Sequence, residues 1–327
     1  MNKRQFAKMA LLGALVAPTA LMAQAQPYPN KPITMIVGFA AGGATDAVAR
    51  LYAQKLSQRL QIPVLIDNKP GAAQLVAVNA VKTAPPDGYR LYMGTGSSLA
   101  QGPGMRRDLP YDPLKDFTPI ALVGVTPGVA IINPSVPANN MKEFVEYVLK
   151  NPGKVNYGSA GAGTANHLQT EYFMSVTGTQ MVHIPYKSDA EVVREVLGGS
   201  LQFSISTAQL TTPLIRTGKV RALAVTSSKP LPFVAGLPTL TEAGVKGLEG
   251  MEPYTFYGVV GPVGMPANVV NTLNAALNEI SKMPDVIERM NGTLFTEPAI
   301  DSASGFRGFL EREVAKWREL GKKVKIE

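Results

Sequence analysis

The 327-residue chain has no cysteine, two histidines and a single tryptophan. Without cysteine there is no disulfide and no thiolate ligand, so the fold must rest on its hydrophobic core. The histidines, His167 and His183, stand sixteen positions apart with no H-x-x-x-H spacing, and no metal site is expected. No serine lies in G-x-S-x-G, which removes the nucleophile elbow of the α/β hydrolases. The dinucleotide fingerprint begins at Gly94-x-Gly96 but fails at Leu99, and no phosphate-binding G-x-x-x-x-G-K-[ST] occurs. No block of Lys and Arg is interleaved with aromatics, so nucleic acid is not an expected partner. Beyond the first 25 residues no apolar run is long enough to span a bilayer. Neither a cofactor nor a catalytic constellation is expected.

What is present is an ordinary globular composition, 45% hydrophobic and 17% charged, on a chain long enough for two domains. The start is different. Lys3, Arg4 and Lys8 precede an apolar stretch from Met9 to Met22, and Ala23-Gln24-Ala25 suits cleavage after small residues. This pattern is that of a secretory signal peptide, removed near Ala25, and it predicts export to the periplasm. The formal charge of +8, less the three cations Lys3, Arg4 and Lys8 with no acid lost, leaves +5 for the mature chain. Such modest basicity suits an anionic small molecule, or simply solubility.

The chain is organised around Phe39-Ala40-Ala41-Gly42-Gly43-Ala44-Thr45-Asp46. It follows the apolar run Ile33 to Val37, a buried strand. It precedes Val48, Leu51, Tyr52, Leu56 and Leu60, which recur at helical spacing. A glycine-rich turn opening a helix can offer first-turn N–H groups to a small anion. The same turn can also be no more than a helix cap, with Thr45 or Asp46 as the capping residue. What favours a ligand is repetition. Arg90 to Met93 is a strand running into Gly94-Thr95-Gly96-Ser97-Ser98. Val155 to Tyr157 leads into Gly158 to His167, the richest in small donors. Leu201 to Ile205 leads into Ser206-Thr207. Strands alternate with helices, so mostly parallel sheets are expected, with ligands beyond the strands' carboxyl ends. Ser188 with Glu191 makes a capping box, Ala73 to Ala84 reads as helix, and Trp317 falls on the apolar face of a last helix with Phe306, Leu310 and Val314. His183, inside a strand, reads as structural. His167 either donates to a ligand carboxylate or makes a local bond.

The motifs Tyr28-Pro29-x-Lys31-Pro32-Ile33, Phe39 to Asp46, Ala84-Pro85-x-Asp87-Gly88-Tyr89, Leu109 to Phe117, Pro152 to Gly161, Pro185-Tyr186-Lys187 and Arg221 to Ser227 follow in this order. Together they resemble the solute receptors of tripartite tricarboxylate transporters, the Bug family, over essentially the whole mature chain. The resemblance implies an α/β fold of periplasmic binding protein type II character, with two α/β domains, a ligand cleft between them and two crossovers. Residues 26–127 and 251–327 would form one domain and 128–250 the other. It implies a monomeric receptor that captures a small organic carboxylate and delivers it to a membrane permease. Carried over by position, the ligand residues would be Phe39, Gly43, Ala44, Thr45 and Asp46 in the first corner, and Thr95, Ser97 and Ser98 in the second. Ser159, Ala160, Thr164, Ala165 and His167 would serve from the third corner, and Ser206 and Thr207 from the fourth, with Phe256 beside them. The chain has Ile205-Ser206-Thr207 where many relatives have Phe-Asp-Asn, so the resemblance gives no ground for a ligand amino group there. Phe256 replaces a frequent Trp, and Ala41 a usual Pro. Two other readings stay open: a periplasmic sensor that signals through a protein partner, and an exported enzyme acting on an anionic substrate.

Overall fold

The computed structural model describes residues 28–322 except 107, 228, 229, 232, 233, 235, 252 and 253, so the expected signal peptide lies outside the described residues. The first part of the chain gives β1 (Ile33–Val37), α1 (Ala44–Leu60), β2 (Val64–Asn68), α2 (Leu75–Lys82), β3 (Arg90–Thr95), the short helices α3 (Gly102–Met105) and α4 (Pro113–Asp116), and β4 (Phe117–Thr126). The middle gives β5 (Gly128–Ile132), α5 (Met141–Lys150), β6 (Asn156–Ser159), α6 (Ala165–Thr177), β7 (Val182–Pro185), α7 (Asp189–Gly198), β8 (Phe203–Thr207), α8 (Ala208–Arg216) and β9 (Arg221–Val225). The chain closes with β10 (Thr255–Pro262), α9 (Ala267–Ser281), α10 (Pro284–Gly292), β11 (Glu297–Pro298) and α11 (Ala303–Gly321).

These strands build two sheets, ordered β11-β4-β10-β3-β1-β2 and β7-β6-β8-β5-β9. Each is packed on both faces, and strict alternation sorts its residues between them. In β1, Ile33, Met35 and Val37 enter the core beneath α1 and α9, while Ile36 joins the opposite core with Tyr92, Leu310 and Trp317. In β5, Ala130 and Ile132 pack with Phe144 and Phe203, whereas Val129 and Ile131 pack with Val192 and Val196. Trp317 is 1% exposed and belongs to the core, as its spacing predicts.

The expectation of mostly parallel sheets is corrected. β1 is parallel to β2 and β3, and β6 to β7 and β8. The strands next to the crossings run the other way: β10 is antiparallel to β3 and β4, and β5 to β8 and β9. The cause is connectivity. β4 feeds β5 with only Pro127 between them, so the chain leaves one sheet and enters the next without a crossover helix to reset its direction. β10 returns it. A second expectation also changes. The helix predicted from Ala73 begins at Leu75, because Ala72, Ala73 and Gln74 all have positive φ, a left-handed run that breaks a right-handed helix.

α3 crosses α11 at glycine contact distance. A Cβ at Gly104 would lie 2.3 Å from Trp317 Cβ and 3.0 Å from the Arg318 backbone nitrogen, so backbone would have to move. Gly104→Ala should therefore cost about 1–3 kcal/mol of overpacking. Urea unfolding should show a lower midpoint at an unchanged m-value. An unaltered midpoint would mean the two helices can separate freely.

Candidate functional site

Between the carboxyl ends of the two sheets lies a cavity of about 340 Å³. One wall is the turn Phe39 to Thr45 with Thr95, Ser97, Thr255 and Tyr257; the other is Ala160, Thr164 to Asn166, Lys187 to Ala190, Thr207, Gln209 and Leu210, with Tyr254. The corners therefore converge, and the candidates Phe39, Gly43, Ala44, Thr45, Thr95, Ser97, Ala160, Thr164, Ala165 and Thr207 all border one space.

Two helix starts give the site its donors. α1 begins at Gly43 in extended conformation, φ −82° and ψ 174°, with no side-chain cap. α6 begins at Thr164 in nearly the same conformation, φ −82° and ψ 166°, again with no side-chain cap from its own N-cap residue. At α5 and α7, by contrast, a side chain caps the helix: Asn140 accepts from the Glu143 N–H and Ser188 from the Glu191 N–H. At α1 and α6 the first-turn N–H groups of Ala44 and Ala165 border the cavity with no protein acceptor among the described residues. Unpaired donors at a helix's positive end favour an anion.

The remaining candidates sit behind this wall. The Asp46 carboxylate turns back onto its own loop: Oδ2 accepts from Gly42 N–H at 2.9 Å and Arg50 Nε at 2.8 Å, and Oδ1 from Asn68 Nδ2 at 3.0 Å. Burial alone would raise its pKa, but these bonds from Arg50, Gly42 and Asn68 bring it below the ordinary carboxylate range. Asp46 thus holds the loop in shape. Ser98 Oγ is buried against Tyr92 Oη at 2.9 Å and the Thr95 N–H at 3.2 Å. Ser159 Oγ lies 2.6 Å from His183 Nε2. Ser206 Oγ bonds Ser204 Oγ and Asp189 Oδ1, each at 2.8 Å. Phe256 is 1% exposed and meets Phe309 edge-on, with ring centroids 4.9 Å apart. Its β10 neighbours Thr255 and Tyr257 face the cavity, so alternation sends Phe256 to the other side.

His167 makes the local bond of its two open readings. Its Nδ1 accepts the Gly163 N–H at 3.0 Å, and its ring stacks on His183 with centroids 4.2 Å apart. Burial, and then the His183 ring, push its pKa down to about 4. It is neutral, and it fastens the Gly161–Thr164 turn that borders the cavity.

Sequence reasoning missed Gln74 and Asp189. Gln74 Nε2 donates to Thr95 Oγ1 at 3.0 Å and Ser97 Oγ at 2.7 Å, and its Oε1 accepts from Tyr92 at 2.8 Å. The left-handed backbone at Ala72 to Gln74 aims this side chain inward, and Gly38 makes room for it, since a Cβ there would lie 2.7 Å from Gln74 Cγ. Nothing in the linear pattern announces that turn, because such φ values usually belong to glycine. Asp189 reads in sequence as one more acid after a capping serine. In the fold its carboxylate accepts from Asn166, Ser206 and Thr207, and burial raises its pKa. The cavity-lining Tyr257 is pushed up to about 12 by burial, with the Asp189 charge adding to it and bonds from Thr126 and Thr45 opposing. Among the described residues no group of three or more His, Cys, Asp or Glu could hold a metal ion.

The description "Tripartite tricarboxylate transporter family receptor" matches residues 48–326. BugT of Bordetella pertussis is 32% identical, over 97% of this chain and 98% of that protein. The periplasmic binding protein BugD superposes with a TM-score of 0.80 at 34% identity, covering 91% of this chain and all of that one. Rpa4515 of R. palustris, solved with adipate, gives 0.81 at 30% identity, covering 90% and 98%.

The neutral His167 makes stability depend on acid. In the unfolded chain the imidazole takes its proton near its ordinary value of 6.5, in the fold only near 4. Between these values the unfolded state binds more protons, so stability falls as pH falls. The raised carboxyls of Asp189 and Glu171 act in the opposite sense. Comparison with His167→Gln, whose amide oxygen can still accept the Gly163 N–H, separates them. From about pH 7 to about pH 4.5, native protein should lose roughly 2 kcal/mol more stability than the variant. Parallel pH curves in urea titrations would contradict this.

Proposed function

The chain belongs to the tripartite tricarboxylate transporter receptor family, and from that premise we propose that it captures a small organic carboxylate in the periplasm and hands it to a membrane permease. The observation that carries the reading is the pair of uncapped helix starts, at Ala44 and Ala165, bordering one cavity from opposite walls. Around 340 Å³ suits a small acid rather than a polymer. Rpa4515, a relative by fold and sequence, was solved with adipate.

A carboxylate enters with one oxygen at the Ala44 N–H and the Ser97 hydroxyl, and another toward the Ala165 N–H. Gln74 occupies the inner side of Thr95 and Ser97; with Thr95 Oγ1 donating to Gln74 Oε1, the Ser97 hydroxyl is the one that turns from Thr95 to the ligand. Charge-assisted bonds of this kind gain strength once water is excluded. Residues 26–127 with 251–327 form one moving unit and 128–250 the other. The division falls at Pro127 and in the stretch before β10, where the chain passes between the sheets. Closing these units over the ligand completes the donor set. The protein works as a monomeric, exported receptor whose first 25 residues are removed, and its site binds without transforming.

Proline tests the donors directly, since it deletes an N–H yet suits the first position of a helix. The extended residues before it, Gly43 and Thr164, already have the conformation proline demands. Ala44→Pro and Ala165→Pro should each weaken binding of the preferred carboxylate about ten- to hundredfold, the loss of one charged hydrogen bond. The melting temperature of the ligand-free protein should hardly move. Unchanged affinity in both variants, by calorimetry, would remove these helix starts from the site.

A further inference from the structure

The wall that holds the start of α6 also holds an acid. Asp189, the first residue of α7, borders it and reaches across to the start of α8. Its Oδ1 accepts from Ser206 Oγ at 2.8 Å and Asn166 Nδ2 at 3.1 Å. Its Oδ2 accepts from the Thr207 N–H and Thr207 Oγ1, both at 3.1 Å. The donors of Asn166, Ser206 and Thr207, including the N–H of the N-cap residue of α8, are therefore already spent on a carboxylate the protein itself provides. Among the described residues no lysine, arginine or histidine forms an ion pair with Asp189; Lys187, two positions away, is exposed. Among the described residues, Lys187 and Asp189 are the only members of the lining with Lys, Arg, Asp or Glu side chains.

We propose that Asp189 sets the ligand class: the site prefers a small carboxylate that also carries a protonated amine, with the carboxylate on the starts of α1 and α6 and the ammonium at Asp189. This rests on the receptor reading above and narrows it. A half-buried carboxylate supplied with hydrogen bonds but no ion-paired cation is incompletely compensated, and closing the cleft removes the water that would help it. An ammonium brings both the missing charge and further donors. A second carboxylate at the same end meets like charge, and the donors already bonded to Asp189 are not free to offset it. Asp189 delivers a carboxylate to Ser206 and Thr207 from the neighbouring helix.

The test is calorimetry on the mature protein with matched acids: butyrate against 2-aminobutyrate and 4-aminobutyrate, glutarate against glutamate, and adipate against 6-aminohexanoate. At least one aminated acid should bind about tenfold or more tightly than its parent, the worth of one well-placed charge-assisted bond. Asp189→Asn should shrink that preference to less than about threefold, since the amide keeps size and one acceptor but not the charge. Circular dichroism and a melting curve establish that the variant is folded, and the comparison on native protein does not depend on it. If plain acids bind as tightly as every aminated partner, or if Asp189→Asn keeps the preference, the assignment of Asp189 is overturned while the carboxylate receptor stands. If no acid of either kind binds, the receptor reading itself falls and this inference with it.

Discussion

A helix cannot satisfy its own first N–H groups, and the site is organised around that constraint. At α5 and α7 the chain answers it with Asn140 and Ser188. At α1 and α6 the N-cap side chain makes no such bond, and both starts are held in nearly identical extended geometry on facing walls. The surrounding polar network maintains this. Asp46, anchored by Arg50 and Asn68, shapes the first loop; His167 fastens the turn before α6; Gln74 braces the hydroxyls of Thr95 and Ser97. These residues keep open donors open, which is why several side chains expected at the ligand stand one layer behind it.

The two sheets supply rigidity for that arrangement. Each is buried on both faces, so the strand ends from which the corners project are fixed by core packing. The antiparallel strands β5 and β10 come from the same economy of connection: the chain crosses between sheets by running straight on through Pro127 and returning along β10.

Much of this was legible in the sequence because periodicity and glycine placement report local structure. The βα corners, the apolar alternation of Ile33 to Val37 and the core position of Trp317 follow from patterns a few residues long. The resemblance carried by motifs from Tyr28 to Ser227 agrees with the family match. Strand direction at β5 and β10 was not legible, since it depends on which sheet each strand joins. Phe256 was misplaced because its register in β10, not its chemistry, decides its face. Gln74 and Asp189 were hidden for a different reason: one depends on a left-handed turn built without glycine at its centre, the other on a contact between α7 and α8. Both are long-range facts about short-range residues.

The account stands on the first-turn amides as carboxylate donors, and backbone amide resonances report on them one by one. A TROSY titration of isotopically labelled mature protein with its tightest-binding carboxylate is the most direct measurement. The amides of Gly43, Ala44, Thr45, Ala165 and Asn166 should show the largest proton shifts, moving downfield as they take up a charged acceptor. Shifts that leave both helix starts unmoved and gather elsewhere would contradict the account.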